Sequence, residues 1–358
     1  MAHRCAIITG IAGQTGSYLA ELLLTKGYHV FGLVRRTSSD TYRERIVHLE
    51  SHDQVELVYG DLTDAASSFA VIQRATRHPS FTHSQYPLEI YNLAAQSHVK
   101  ISFELPIYTA QTDALGTLQF LESIRQLPED LRGRIRFYQA STSEMFGASP
   151  SRPQNEATPF HPRSPYGVAK LYAHWITINY RESYNMWACA GILFNHESER
   201  RCKNFVTRKV TSAVAKYATH RQFKPLQLGN LDAVRDWGYA PDYARGIWMI
   251  LQQPLAKEYV LATGISHTVR YLVEVAFKKI NVDVTWKNTG EKEKGYNAAN
   301  SELLIEVNPK FYRPAEVDVL CGDSTLVRSE LGWTPDVTFE EMIGRMVQSD
   351  IKQQKLTA

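Results

Sequence analysis

Short apolar runs alternate with segments of helical periodicity along the first two thirds of the chain. The apolar runs predict strands over residues 5–9, 30–34, 55–59, 88–93, 136–140, 188–194 and 258–262. The helical periodicity predicts a helix after the first strand and further helices over residues 112–124, 166–184, 269–280 and 340–351. Because strands and helices alternate at this spacing, we predict an α/β fold with a doubly wound parallel sheet.

The first predicted strand ends in a glycine-rich turn, T-G-I-A-G-Q-T-G, which leads into the first predicted helix. Gly10, Gly13 and Gly16 follow the spacing G-x-x-G-x-x-G. A strand, a glycine turn and a helix in this order let the backbone approach a pyrophosphate at the helix N-terminus. Such a turn can also be purely structural, but its position favours dinucleotide binding and a Rossmann-type sheet.

The second predicted strand ends in Arg35 and Arg36, which are followed by Thr37 and Ser38. An acidic residue at this point would bind the ribose 2′-hydroxyl of NAD, whereas arginine suits the 2′-phosphate of NADP. We therefore predict NADP as the cofactor. The alternative is that these arginines lie on a solvated edge. Asp61, after the third strand, is a candidate acceptor for the adenine amine.

Tyr166 and Lys170 are four residues apart on a predicted helix, so the ammonium lies next to the phenol on one face. A neighbouring cation favours the phenolate and makes tyrosine a usable base near neutral pH. Thr142 and Glu144 follow the fifth strand, and the carboxyl ends of parallel strands open on one crevice. The Y-x-x-x-K spacing also occurs by chance, but this context favours catalysis by these four side chains.

The alternation weakens after residue 194, and neither a repeat nor a clean linker is visible. We therefore predict two interleaved parts. Residues 1–194 and 236–264 are expected to form the NADP-binding Rossmann-type domain. Residues 195–235 and 265–358 are expected to form a smaller substrate-binding lobe.

Four basic residues in the second part of the chain are candidates for binding a diphosphate: Arg208, Lys209, Arg235 and Arg313. Each of them, taken singly, is more typical of a solvated surface. Together with a cofactor domain they favour a nucleotide-linked substrate that is held by its phosphates.

The composition is that of an ordinary globular protein, with 358 residues, 44% hydrophobic, 22% charged and a formal net charge of +3. Because the sequence contains no long run of one charge, we expect neither nucleic acid nor a membrane surface as a partner. The four cysteines are far apart and form no C-x-x-C pair, so we predict neither a metal site nor disulfide bonds. The first residues do not resemble a signal peptide and no apolar run reaches about 18 residues, so we expect a cytoplasmic protein.

Sequence blocks from about Ile7 to Asp350 are similar to those of one enzyme family. They include T-G-I-A-G-Q-T-G-S-Y-L, N-L-A-A-Q-S-H-V, Q-A-S-T-S-E, P-R-S-P-Y-G-V-A-K, G-I-L-F-N-H-E-S, V-T-R-K, L-G-N-L-D-A-V-R-D-W-G and R-P-A-E-V-D. On these blocks the chain resembles the GDP-mannose 4,6-dehydratase family, a branch of the extended short-chain dehydrogenase/reductases. The glycine turn and the Tyr-Lys pair are typical of the whole superfamily, whereas S-T-S-E, N-H-E-S and R-D-W-G indicate the dehydratases.

The resemblance implies site residues for NADP and for GDP-mannose, and it implies that Thr142, Glu144, Tyr166 and Lys170 are catalytic. The implied NADP contacts are Gly10, Gly13, Gln14, Gly16, Arg35, Arg36, Thr37, Ser38, Asp61, Leu62, Leu93, Ala95, Gln96, Ser97, Tyr108, Lys170, His196 and Arg201. The implied GDP-mannose contacts are Ser97, Thr142, Glu144, Tyr166, Asn195, Lys209, Arg235, Arg313 and Glu316. A homo-oligomer, dimer or tetramer, is also implied, because residues 35–45 resemble the loop through which family members associate.

The chain departs from the family pattern at a few positions. Thr15 replaces an aspartate, Met145-Phe146 replaces Leu-Tyr, Gly167 replaces an alanine, Glu199 replaces a proline and Cys202 replaces a glycine. Thr15 and Cys202 lie beside implied cofactor contacts, so these two departures are expected to affect the affinity for the cofactor more than the chemistry.

The expected reaction converts GDP-α-D-mannose to GDP-4-dehydro-6-deoxy-D-mannose and water. Tyr166 would take the C4 hydroxyl proton while C4 is oxidised by NADP⁺, and Thr142 would position that oxygen. Glu144 would remove the C5 proton and protonate the departing C6 hydroxyl, after which hydride returns to C6. The product is expected to enter GDP-deoxyhexose biosynthesis, for example that of GDP-L-fucose.

Two alternatives stay open on sequence grounds. A nucleotide-sugar 4-epimerase or 4-keto-reductase has the same fold but eliminates no water, and Glu144 argues against both. A regulatory protein that senses NADP without catalysis would be expected to lack Tyr166 or Lys170. Glu144 itself could be a helix-end or salt-bridge carboxylate.

Overall fold

The structure is a computed structural model that describes residues 4–36, 44–219, 223–312, 315 and 317–356. The chain divides into two compact units. Unit 1 comprises Met1–Leu193, Ala240–Leu261 and Asp323–Thr334, and unit 2 comprises Phe194–Tyr239, Ala262–Gly322 and Pro335–Ala358. Neither unit is a continuous stretch of sequence.

The helices and strands follow one another along the whole described chain. The strands are β1 Arg4–Thr9, β2 Tyr28–Val34, β3 Val55–Tyr59, β4 Leu88–Asn92, β5 Ile135–Thr142, β6 Trp187–Leu193, β7 Asn195–Glu197, β8 Leu226–Leu228, β9 Val234–Tyr239, β10 Tyr259–Leu261, β11 Ser266–Thr268, β12 Val284–Lys287, β13 Lys294–Asn297, β14 Leu303–Val307 and β15 Val319–Leu320. The α-helices are α1 Gln14–Thr25, α2 Val47–Glu50, α3 Ala65–Arg77, α4 Pro79–Thr82, α5 Val99–Glu104, α6 Pro106–Thr109, α7 Gly116–Arg125, α8 Glu129–Arg132, α9 Pro165–Tyr184, α10 Val206–Ala218, α11 Ala240–Leu251, α12 Val269–Lys278, α13 Thr325–Leu331 and α14 Phe339–Leu356.

Unit 1 is built on a seven-stranded sheet with the order β10-β6-β5-β4-β1-β2-β3, in which all neighbouring strands are parallel. Strands β2 and β4 are buried along their whole length, because an apolar layer covers each face of the sheet. The strand order reverses between β1 and β4, where such sheets open a crevice at the carboxyl ends of their strands. The predicted doubly wound parallel sheet is confirmed.

Unit 2 contains two small sheets. In one, β9 lies between β11 and β15 and also pairs with β7; the other has the order β12-β13-β14-β8. An apolar core that includes residues of α10, α12 and α14 fills this unit. Strands of two to six residues are too short to show a clear hydrophobic period, which explains why the sequence pattern predicted none of them.

Three differences from the predicted elements concern the site. The predicted helix 112–124 is part of a longer run in which α6, a π-helical turn at Ala110–Leu115 and α7 follow one another directly. Strand β5 continues to Thr142, because Ser141 and Thr142 still pair with β6. Residues 323–334, predicted in the substrate-binding lobe, belong to unit 1, since Trp333 is buried in its core.

In the parts of the chain that the structure describes, no helix combines the length and the apolar character that a bilayer crossing requires.

Candidate active site

The end of β5 and the first turn of α9 bring the predicted catalytic residues together in unit 1. Thr142 is the last residue of β5, and Glu144 lies in the short 3-10 turn Ser143–Met145 that follows; both side chains are buried. Helix α9 begins at Pro165 because the Ser164 side chain caps it by accepting a hydrogen bond from Gly167 N. A Cβ atom on Gly167 would lie 2.8 Å from the Glu144 carbonyl oxygen, so the turn that carries Tyr166 packs directly on Glu144.

Lys170 fixes α9 against the same strand. Its Nζ atom donates a 3.1 Å hydrogen bond to the Ala140 carbonyl and lies 6.0 Å from the centre of the Tyr166 ring. Burial lowers the pKa of Lys170, and the negative charge of Asp113 acts in the opposite direction. The Lys170 ammonium and the Tyr166 ring therefore lie on the same buried face of the helix.

His174 makes a second tie between α9 and β5, one helical turn further along. Its Nδ1 atom is 2.9 Å from Ser141 Oγ, and both side chains are buried. Burial lowers the pKa of His174 to about 4, so the ring is neutral at physiological pH. Because Ser141 precedes Thr142 on the strand, this bond and that of Lys170 set the register of the helix against the catalytic end of β5.

Asp113 is a charged residue of this region that the sequence reasoning missed. It lies in the π-helical turn, and its Oδ1 atom accepts a 2.7 Å hydrogen bond from Gln96 N. Burial raises the pKa of Asp113 to about 6, although the positive charge of Lys170 and the Gln96 bond act against this shift. A charged side chain among the apolar positions of the predicted helix 112–124 was the signal that could have identified it.

The glycine turn between β1 and α1 has the geometry expected of a phosphate cradle. Gly10 adopts a left-handed φ of +69°, and a Cβ on it would lie 2.9 Å from Ala94 Cα. A Cβ on Gly16 would lie 2.3 Å from the Gly10 carbonyl oxygen. Gly13 is the N-cap of α1, so backbone N–H groups rather than a side chain face outward where Gln14 starts the helix.

The residues predicted to bind the nucleoside part also lie in unit 1. Arg35 Nη1 donates a 2.6 Å hydrogen bond to Tyr108 Oη, so two predicted cofactor contacts from distant segments are neighbours. The Arg36 guanidinium lies 5.2 Å from the centre of the Tyr59 ring. Asp61 Oδ1 accepts hydrogen bonds of 2.9 and 2.8 Å from the N and Oγ1 atoms of Thr63.

The remaining predicted cofactor contacts of unit 1 differ in exposure. Leu62 is buried, Leu93, Ala95 and Gln96 are half-buried, and Ser97 is exposed. Thr9 Oγ1 accepts 3.0 Å hydrogen bonds from the amides of Leu93 and Ala94, which places the segment after β4 against the end of β1.

The remaining described candidates belong to unit 2. Asn195 is in β7, and its Oδ1 atom is buried without a hydrogen-bond partner among the described residues. His196 Nδ1 is 2.9 Å from the Phe194 carbonyl, and burial lowers the pKa of this histidine to about 4. Arg201 forms a 3.1 Å ion pair with the buried carboxylate of Glu197.

The basic residues of unit 2 that were predicted to bind the diphosphate differ in their burial and in their contacts. Lys209 Nζ lies 4.8 Å from the centre of the Phe311 ring. Arg235 is buried in β9, and its Nη1 donates to the Val234 carbonyl at 2.9 Å. Arg208 is buried as well and donates to Asp350 at 2.6 Å, so it ties α10 to α14 rather than presenting a free cation for a diphosphate. The predicted residues Thr37, Ser38, Arg313 and Glu316 lie outside the described part of the chain.

Comparison with known proteins identifies the family to which the chain belongs. The sequence matches the family described as GDP-mannose 4,6 dehydratase over residues 7–346. The chain belongs to the GDP-mannose 4,6-dehydratase family. Its relatives include the GDP-mannose 4,6 dehydratase of Drosophila melanogaster, 51% identical over 98% of this chain and 86% of the relative, and that of Homo sapiens, 47% identical over 97% and 91%.

This membership confirms the resemblance predicted from the sequence, together with the lyase class and the dehydration of GDP-mannose. It also decides between the alternatives that the sequence left open, because the curated relatives at this similarity carry the dehydratase name rather than that of an epimerase, a reductase or a regulator.

Solved structures support the fold over the full length of this dehydratase-family chain. A dTDP-glucose 4,6-dehydratase from Bacillus anthracis matches with a TM-score of 0.77 and 21% identity, covering 98% of each chain. A UDP-glucose 4-epimerase from Thermus thermophilus matches with a TM-score of 0.76 and 24% identity, covering 97% of this chain and 98% of the epimerase. At these identities the likeness concerns the fold alone.

The departures from the dehydratase pattern have local structural consequences. Gly167 leaves no side chain between α9 and the Glu144 backbone, and a methyl group there would require a shift. Glu199, in place of a proline, accepts hydrogen bonds of 3.4 and 3.3 Å from Tyr239 Oη. Cys202 is exposed. Nothing in the structure explains the change at Thr15.

Proposed function

We propose that GDP-mannose dehydration in this protein depends on Thr142, Glu144, Tyr166 and Lys170 at the junction of β5 and α9. The observation that carries the assignment is the packing of the Tyr166 turn on Glu144, with Lys170 held by Ala140 beside the phenol. Redox chemistry at C4 needs one base, and elimination across C5 and C6 needs a second acid/base group. The two functions fall to Tyr166 and to Glu144.

The residues of unit 1 fit a nicotinamide dinucleotide. The cradle formed by Gly10, Gly13 and Gly16 has no room for side chains, and the backbone N–H groups at the start of α1 suit a pyrophosphate. When bound, the nicotinamide supplies the acceptor for the C4 hydride and the donor that reduces C6. Lys170 Nζ lies 6.0 Å from the centre of the Tyr166 ring, and its N–H donors also suit ribose hydroxyl groups.

Each residue then moves or holds a proton at a stated atom. Tyr166 Oη removes the proton of the C4 hydroxyl as C4 is oxidised, and Thr142 Oγ1 holds that oxygen. The resulting ketone acidifies the C5 hydrogen. The Glu144 carboxylate removes this proton and delivers one to the departing C6 hydroxyl, so that water leaves. C6 is then reduced with the hydride that C4 gave up, a proton from water reaches C5, and the proton held by Tyr166 returns to water, which completes the 6-deoxy-4-keto product.

The cofactor is proposed to be NADP. Arg35 and Arg36 follow directly on β2, at the position where an acidic residue would favour NAD. Two guanidinium groups match the 2′-phosphate of NADP in charge and geometry. Titration of the protein with both nucleotides tests this: Arg36→Ala should weaken NADP binding strongly and NAD binding little, whereas an equal loss for both would contradict the assignment.

Residues of unit 2 are proposed to contact GDP-mannose. Asn195 offers a buried amide oxygen that the described residues leave unpaired, and Lys209 and Arg235 offer positive charge for the diphosphate. Arg313 and Glu316 remain predicted contacts. Lys209→Met should raise the KM for GDP-mannose more than it lowers kcat, because this residue contacts no reacting atom in the proposed arrangement.

A homo-oligomer is proposed because helices α5 to α9 of unit 1 and the segments beside them carry large exposed apolar side chains. They are Leu105, Ile107, Leu115, Val168, Tyr172 and Trp175, with exposed fractions of 41–73%. The last three follow helical spacing along α9, so they form one stripe, and such stripes are typical of surfaces that a partner covers. Light scattering should give a dimer or tetramer for the wild-type protein and a smaller species for Trp175→Glu; a monomeric wild type would contradict the proposal.

The protein is proposed to act in the cytoplasm, in GDP-deoxyhexose biosynthesis such as that of GDP-L-fucose. The cysteines of the described chain, Cys5, Cys189, Cys202 and Cys321, form no disulfide bond with one another, which suits a reducing compartment. Cell fractionation with an antibody against the protein tests the location.

A substrate panel tests the proposed reaction as a whole. The protein is incubated with GDP-mannose, and in parallel with UDP-glucose and dTDP-glucose, while the NADPH absorbance and the sugar products are followed. We expect a 4-keto-6-deoxy product from GDP-mannose alone, without net change in NADPH. A C4 epimer, a net consumption of NADPH, or no product would each contradict the proposal.

A further inference from the structure

Tyr59 is a large aromatic side chain that stays exposed at the carboxyl end of a strand. It is the last residue of β3, which is an edge strand of the sheet in unit 1. Its exposed fraction is 50%. A single exposed aromatic residue is common on protein surfaces, so the contacts of its ring decide whether it has a function.

The ring of Tyr59 lies beside an arginine that follows the neighbouring strand. The Cζ atom of Arg36 is over this ring, 5.2 Å from its centre. Within about 6 Å, the face of an aromatic ring attracts a guanidinium, and the planar group can stack there while its N–H donors stay available. Tyr59 therefore restricts the position of the Arg36 cation without using its hydrogen-bond donors.

The backbone holds the ends of the two strands together. Val34 and Tyr59 are partners in the parallel pairing of β2 and β3, and Gly60 N donates a 3.0 Å hydrogen bond to the Val34 carbonyl. A Cβ atom on Gly60 would lie 2.8 Å from Ser67 Cβ, so the chain after Tyr59 turns closely against α3. Arg36 is two residues beyond Val34, so its backbone starts from a point that is fixed relative to Tyr59.

The other arginine of this segment is oriented by a second tyrosine. Arg35 Nη1 donates a 2.6 Å hydrogen bond to Tyr108 Oη. Among the described residues, no carboxylate forms an ion pair with Arg35 or with Arg36. Each guanidinium is therefore held by a neutral aromatic side chain from a distant segment and keeps its positive charge. Two such groups suit a doubly charged phosphate.

We propose that Tyr59 is a specificity-determining residue, which favours NADP over NAD by holding Arg36 in place for the 2′-phosphate. This inference rests on the NADP site proposed above. An exposed arginine loses side-chain entropy when it binds a phosphate, and a side chain that is already ordered loses less. Since NAD has no 2′-phosphate, the contact between Tyr59 and Arg36 affects the affinity for NADP alone. Tyr59 acts through Arg36 and is therefore a positioning residue.

The ratio of the affinities for NADP and NAD tests the proposal without using activity. Calorimetric titration in the absence of GDP-mannose, at one fixed ionic strength, gives both dissociation constants. In Tyr59→Leu the loss of an exposed cation–π contact should weaken NADP binding about two- to fivefold and leave NAD binding unchanged. Tyr59→Phe keeps the ring and should match the wild type. The control for the substitution is Tyr86→Leu, because Arg4 lies 4.3 Å from the Tyr86 ring, before the start of β4.

The same titrations with Arg36→Ala separate the two ways in which the proposal can fail. If Arg36→Ala loses NADP affinity selectively while Tyr59→Leu keeps the wild-type ratio, the role of Tyr59 is overturned and the NADP site stands. An equal weakening of both nucleotides in Tyr59→Leu has the same meaning, because a general disturbance of the strand end would act on NAD as well. If Arg36→Ala weakens both nucleotides equally, the NADP site itself is wrong and the role of Tyr59 falls with it.

Discussion

Each unit buries a carboxylate in its interior, but the two carboxylates differ in how completely they are bonded. In unit 2, Asp350 accepts Arg208 at 2.6 Å on one oxygen and Thr211 Oγ1 at 2.6 Å on the other. In unit 1, Asp113 has one oxygen that no described residue bonds, and Lys170 lies beside the proposed chemistry. The difference teaches that a fully bonded buried carboxylate holds the scaffold, whereas a partly bonded one leaves capacity for a ligand or a reaction.

The largest expected effect is a loss of activity without a loss of stability, in a variant of Tyr166 in unit 1. Tyr166→Phe removes one hydroxyl group that contributes a general base, so kcat should fall about 10²- to 10⁴-fold while the melting temperature stays close to the wild type. Tyr184→Phe is the matched control, because Tyr184 is exposed at the C-terminal end of the same helix, outside the proposed oligomer surface. Steady-state kinetics with GDP-mannose measure both. Equal activities of the two variants would remove Tyr166 from the mechanism.

The pair in unit 2 should show the opposite behaviour. Asp350→Asn leaves Arg208 buried without its anion, so the free energy of unfolding should fall by about 3–5 kcal/mol. The exposed pair Lys278–Asp283 provides the control, since Asp283→Asn should cost less than about 1 kcal/mol. Urea unfolding measures both variants. If Asp350→Asn costs no more than the exposed control, the pair does not hold the scaffold.

The cofactor cradle of unit 1 should be sensitive to a single methyl group. The Cβ of Gly16→Ala would overlap the Gly10 carbonyl, and the backbone cannot yield without a shift, so we expect a loss of about 1–3 kcal/mol and weaker cofactor binding. Gly344→Ala is the control in unit 2, where the nearest atom is the end of a lysine side chain at 3.4 Å. Calorimetric titration with the cofactor measures the effect; unchanged affinity in Gly16→Ala would argue against phosphate binding at the turn.

The smallest expected effect is a pH dependence of stability from His174. Its pKa is lowered from 6.5 to about 4 in the folded protein, so its stabilising contribution is present above pH 6.5 and is lost as the pH falls towards 4. Between pH 7 and pH 5 the expected loss is about 2 kcal/mol. His174→Asn should flatten the stability profile over this range in urea unfolding. A profile identical to that of the wild type would show that this histidine does not titrate as expected.

The comparison of the units also shows how far a sequence can be interpreted. Strands buried on both faces appear as continuous apolar runs, so the sheet of unit 1 and its glycine turn could be predicted. Tyr166 and Lys170 could be placed together because helical spacing is local. Asp113 could not, because a π-helical turn changes which residues of a helix face the core, and no local pattern signals that change.

The structure of unit 2 was harder to predict from the sequence than that of unit 1, for a physical reason. Its strands are short, so periodicity is weak, and its charges were ambiguous from sequence alone. Arg208 and Lys209 are adjacent in the chain, but one is buried against Asp350 and the other is half-buried beside Phe311. Arg208 is structural because it binds Asp350, which is 142 positions away in the chain. No local sequence pattern indicates such a contact.

The central claim is that Glu144 performs the elimination that separates this reaction from a simple oxidation. The most direct test is the reaction of Glu144→Gln, loaded with NADP, with GDP-mannose in deuterated water. We predict that NADPH forms and persists, that no 6-deoxy product appears and that no deuterium enters C5, whereas the wild type gives a 6-deoxy product with deuterium at C5. Formation of that deuterated product by Glu144→Gln at the wild-type rate would contradict the account.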